Sequence, residues 1–84
     1  MAQLYVVTSE IHLHDNIISN IEVFTTESRA KEYMSANYKV TLKKMNIKVP
    51  QNGVRESRGN RYIHLFDDNS KSQIIYTTFE KEVQ

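Results

Sequence analysis

The sequence predicts an α+β fold, an antiparallel sheet of four to five strands with one amphipathic helix on one face, in the order β-β-α-β-β-β. Three observations carry this expectation. Short runs rich in β-branched and aromatic residues recur at residues 4–11, 17–24, 62–66 and 73–79. One segment alone, with Ala30, Tyr33, Met34 and Tyr38 at i, i+3, i+4 and i+8, has a helical period ahead of a polar opposite side. The chain of 84 residues, 39% hydrophobic and 25% charged, has globular composition and fits one domain spanning residues 1–84.

The first two runs flank His12-Leu13-His14-Asp15-Asn16 and read as a hairpin. In the second run Ile17, Ser19, Ile21 and Val23 share one face, and this face is expected to meet the core. Thr25-Thr26-Glu27-Ser28 supplies hydroxyl acceptors for a helix start and an acid for its positive end. The helix is expected over residues 26–37. After it, Tyr38, Val40 and Leu42 alternate with polar residues, and Met45, Ile47 and Val49 alternate one step out of phase. A strand with a bulge at Lys43-Lys44, or two short strands, accommodates that pattern.

Pro50 and Gln51-Asn52-Gly53 interrupt the sheet, and residues 54–60, without apolar periodicity, read as an exposed loop. The last two runs are joined by Asp67-Asp68-Asn69-Ser70, a hairpin loop, and residues 80–84 are expected to fray. A single helix cannot cover both faces of such a sheet. Its other face is left to solvent or a partner, and a homodimer through that face is one arrangement the pattern allows.

Several function classes are excluded or disfavoured. Without cysteine there is no disulfide framework, thiolate metal site or thiol nucleophile. No apolar run approaches the roughly 20 residues of a membrane-spanning helix. The start lacks a basic segment followed by an apolar one, so a cytoplasmic location is expected. Gly53 and Gly59 open no helix, so no phosphate loop is present. His12, His14 and His64 could act as metal ligands or an acid/base pair only if they converge, and polar residues at a hairpin tip explain the first two more simply. No enzyme chemistry and no cofactor is expected.

Charge is distributed unevenly. Residues 1–38 carry two basic against five acidic residues, residues 39–61 carry seven against one, and residues 62–84 carry two against four. Lys39, Lys43, Lys44 and Lys48 on a strand, followed by Arg55, Arg58 and Arg61 on a loop, would form a basic surface bracketed by Tyr38 and Tyr62. Such a surface binds phosphates, and either tyrosine could stack on an unpaired base, which favours RNA over duplex DNA. Solubility and edge protection by lysine account for the same residues without a ligand. Arg58-Gly59-Asn60-Arg61-Tyr62-Ile63-His64-Leu65 matches an RNA-recognition-motif signature at its basic-Gly start, Tyr62 and Ile63, but Asn60 and Leu65 stand where aromatics belong and Arg61 where Gly or Ala belongs, which rules that family out.

Leu4-Tyr5-Val6-Val7-Thr8 and the stretch from Val23 through Thr25-Thr26-Glu27 to Tyr33-Met34 resemble a pattern in small uncharacterised bacterial and phage proteins, in which a leading hairpin delivers the chain to a helix. With the Asn, Lys and Ile richness, the chain also looks like accessory proteins of large phages. That resemblance implies a protein of the host cytoplasm that blocks a host factor, either by binding RNA of an RNA-dependent host defence or by docking on an acidic host protein as an inhibitor or adaptor.

Overall fold

The structure is a computed structural model and describes residues 2–83. Five strands, β1 (Ala2–His12), β2 (Ile17–Phe24), β3 (Val54–Arg58), β4 (Tyr62–Asp67) and β5 (Ser72–Val83), form one antiparallel sheet of order β2-β1-β5-β4-β3. One helix, α1 (Glu27–Met45), lies on one face of it. The predicted α+β class and element order hold, although the third strand is a different segment from the one expected.

The hairpin β1–β2 closes as predicted, with Leu13 and Asn16 exchanging both backbone hydrogen bonds across a two-residue tip. The helix begins where Thr26 accepts a hydrogen bond from the Arg29 N–H at 3.3 Å, with Glu27 in its first turn. It does not stop at Asn37. It runs for 19 residues, so the expected strand after Tyr38 is absent. Ala30, Met34, Tyr38 and Thr41 are buried along it, while Leu42 and Met45 pack at the margin of the same cluster. The one-step slip between Leu42 and Met45, which a strand absorbs only with a bulge, is what a period of 3.6 produces.

The end of α1 is a Schellman cap. Asn46 adopts the left-handed conformation (φ 57°), its N–H donates to Lys43 O, and Ile47 N–H donates to Leu42 O at 2.9 Å. Ile47 thereby turns inward and is buried. Asn46→Gly is expected to be neutral or stabilising, whereas Asn46→Val should cost roughly 1–2 kcal/mol because a β-branched residue resists that conformation. Thermal unfolding of the two variants checks this.

The predicted loop at residues 54–60 is instead β3 followed by a tight turn at Gly59, paired to β4 from Val54↔Asp67 to Arg58↔Ile63. A Cβ at Gly59 would lie 2.3 Å from a ring carbon of Tyr62, so only glycine lets that ring close over the turn. Residues 80–83, expected to fray, pair with β1 as the end of β5; Gln84 lies outside the described residues.

The core lies between α1 and the inner strands. Val7, Ile63, Leu65, Ile74 and Tyr76 from the sheet meet Ala30, Met34 and Tyr38 from the helix. Polar groups inside it are satisfied. The Tyr76 hydroxyl donates to Asn37 Oδ1 at 2.6 Å and lies 2.9 Å from Thr41 Oγ1, and the Thr78 hydroxyl donates to Met34 Sδ at 3.2 Å. Tyr38 packs edge-on to Tyr76, with ring centroids 6.0 Å apart, and its hydroxyl donates to the Glu56 carboxylate on β3.

Candidate interaction surface

Strand alternation assigns every side chain of the sheet to a face. Val7, Tyr76, Ile63 and Leu65 point to α1, so their neighbours Val6, Ile75, His64 and Phe66 point away from it. That second, open face carries no helix. Its β1, β2 and β5 half is apolar: Leu4, Val6, Ile21, Val23, Phe79 and Val83 line one shallow depression. Ile21 is 65% exposed, Val23 53% and Phe79 43%, values that place large apolar side chains in water where they would normally be covered. Its β3 and β4 half is polar and aromatic, with Arg55 over the Phe66 ring at 5.4 Å, Tyr62, and His64 Nε2 3.2 Å from Gln73 Oε1.

The expectation that Ile17, Ser19, Ile21 and Val23 face the core is therefore corrected. They occupy the open face, and all are exposed. Alternation identified the shared face correctly but not its direction. The other face of β2 holds Phe24, which packs on Tyr33 at 5.2 Å between ring centroids and fixes which side turns toward the helix.

The residues expected to form one basic surface are divided. Lys39 and Lys43, four apart on the solvent side of α1, are exposed, and Lys44 borders a groove with Ile18 and Val40 between α1 and β2. Lys48 follows the helix cap. Arg55 lies on the open face, whereas Arg58, on the helix side of β3, sits 5.5 Å above the Tyr38 ring. Arg61 bridges Glu27 at 2.6 Å and Glu80 at 2.5 Å, and these hydrogen bonds hold its guanidinium protonated still more firmly. The predicted row on a strand does not exist: Lys39 and Lys43 share one side of a helix, Lys44 is turned about 100° from Lys43, and Lys48 lies beyond the helix cap.

Tyr38 is 2% exposed, so it is a core residue and has no face free for a base. Tyr62 is exposed and shares the open face with Arg55. The histidines also divide. His14 stands at the hairpin tip beside Asp15, and His12 and His64 lie on β1 and β4 with β5 between them. Among the described residues no group of three His, Cys, Asp or Glu side chains is placed to hold a metal ion. No helix among them is long and apolar enough to cross a membrane.

The fold and surface define a single-layer antiparallel sheet backed on one side by a helix, with an uncovered apolar face. No protein-family model, no curated protein sequence and no solved structure matches the chain.

Proposed function

We propose that this chain is a non-enzymatic protein-binding module, an adaptor or inhibitor that docks a partner protein on the open face of its sheet. The observation that supports this reading is the contiguous apolar patch of Leu4, Val6, Ile21, Val23, Phe79 and Val83. Patches of this kind on a small folded chain mark protein contacts, because leaving them wet forgoes about 25 cal/mol per Å² of apolar area. Arg55 and Lys81 on the same face suit an acidic margin on the partner. The division of the remaining basic residues among other surfaces weighs against nucleic acid as the main ligand, since a phosphate backbone needs a continuous cationic track.

The test is capture of a partner from lysate of the source cells by wild type, by Val23→Lys/Phe79→Lys, and by Lys39→Gln/Lys43→Gln/Arg58→Gln. The first variant is expected to lose the partner and the second to retain it. Titration of labelled single-stranded RNA runs alongside. Salt-sensitive RNA binding that the second variant loses would replace this reading with phosphate recognition.

A further inference from the structure

The two edges of the sheet are built differently. β3 is five residues long and carries Arg55, Glu56 and Arg58, the charged, short type of edge that resists pairing with another chain. β2 is eight residues long, has no lysine, arginine or proline, and holds one charge, Glu22. Its open face is bare, with Ile17, Ile21 and Val23 each between 53% and 65% exposed, and its helix side is covered only in part: Phe24 packs on Tyr33 and Asn20 Nδ2 donates to the Tyr33 hydroxyl at 3.2 Å, while Ile18 stays 47% exposed. An unguarded edge flanked by apolar side chains on both faces is a template for a further strand.

The hairpin geometry states which backbone groups are free. Leu13 and Asn16 form a hydrogen-bonded pair, so in the antiparallel alternation Ile18, Asn20, Glu22 and Phe24 bond to β1, while Ile17, Ser19, Ile21 and Val23 turn their N–H and C=O groups outward. The Ile17 N–H is already taken by Asn16 Oδ1 at 2.9 Å. The donors left on this edge are those of Ser19, Ile21 and Val23.

We propose that a second copy of this chain pairs antiparallel along β2, with the two-fold axis passing through Ile21. Ile21 then faces Ile21 of the second copy, and Ser19 faces Val23, so every free donor finds a carbonyl and the capped Ile17 is not needed. On the helix side the register sets Glu22 against Asn20, a carboxylate beside an amide donor, and Ile18 against Phe24. An axis at Asn20 instead would place Glu22 against Ile18 and would require the occupied Ile17 N–H. Registers shifted by one residue would set the outward-bonding Ile21 against Asn20, which already bonds to β1, and are excluded by the hydrogen-bond alternation. The product is one continuous sheet of ten strands with both helices on one side, an isologous dimer. It leaves both open faces uncovered on the other side, so it stands or falls independently of the partner-docking reading.

Sedimentation of the wild type across a concentration series is expected to approach twice the 9.9 kDa chain mass. Ile21→Lys, at an exposed position whose own backbone groups are not bonded to β1, should weaken association roughly tenfold or more, while Ser57→Lys on the guarded edge should not. The absence of native cysteine allows the register to be read directly. Under mild oxidation Ile21→Cys should crosslink to itself, because directly opposed residues of a hydrogen-bonded pair lie about 5.5 Å apart at Cα, within disulfide reach. Ser19→Cys and Val23→Cys should crosslink when mixed and not singly. A mass that stays at one chain throughout, or a crosslink formed by Asn20→Cys in place of Ile21→Cys, overturns the proposal.

Discussion

Tyr38→Ala is expected to destabilise the fold by about 3–5 kcal/mol, the range for removing a fully buried aromatic. The side chain ties three elements together: it rises from α1, packs edge-on to Tyr76 of β5, lies under the Arg58 guanidinium, and donates to Glu56 of β3. Tyr38→Phe keeps the packing and loses only the hydroxyl contact, for about 1 kcal/mol. Urea denaturation separates the two; if Tyr38 were a solvent-facing stacking platform, neither change would matter. The same residue sets the alkaline limit. Burial first, and the neighbouring Glu56 carboxylate second, hold the Tyr38 hydroxyl protonated far above its ordinary value, and burial raises Tyr76 as well. The folded state therefore keeps these protons after the unfolded chain has released them. Their contribution is complete below about pH 10, where an unfolded tyrosine titrates, and declines as pH rises beyond it. The urea midpoint should fall above that pH, and less steeply in Tyr38→Phe.

Lys39→Pro should cost about 3 kcal/mol or more, because it removes a hydrogen bond in the middle of a 19-residue helix and drives the ring into the preceding turn. Lys39→Ala should stay within about 0.5 kcal/mol, since the side chain is exposed. This pair distinguishes helix from edge strand at the position where the sequence suggested a strand. For a small domain whose total stability is of order 5–15 kcal/mol, the proline variant should be largely unfolded in urea concentrations that the alanine variant withstands.

The β1–β2 hairpin, the start of α1 at Thr26, and strands β4 and β5 were legible in local pattern, because each is bounded by its own turn or cap chemistry. Residues 38–49 were not. Tyr38, Val40 and Leu42 fit a period of two over a short window, and the helical alternative emerges only when Met34, Tyr38, Leu42 and Met45 are taken together with the inward turn at Ile47. β3 was illegible for the opposite reason: a five-residue edge strand with four exposed residues has no apolar signal to detect. The interaction surface was half legible. A face left uncovered followed from having one helix, but its location depended on which side of β2 met that helix, a tertiary decision made at Phe24 and Tyr33. The basic residues were visible as a cluster in sequence and dispersed in space, because a charge run says nothing about the element that carries it.

The position of β5 in the middle of the sheet also dictates an order of assembly. Its neighbours, β1 and β4, are separated by some 50 residues and touch each other only through it. The β1–β2 hairpin and the β3–β4 hairpin can each form from contacts close in sequence, but they stay separate pieces until residues 72–83 fit between them. Closing the longest loop last makes the rate of folding, more than its endpoint, the property governed by this strand. Until that moment the folding chain holds two unfinished hairpins with open inner edges, the stage at which it most needs shelter from its own neighbours.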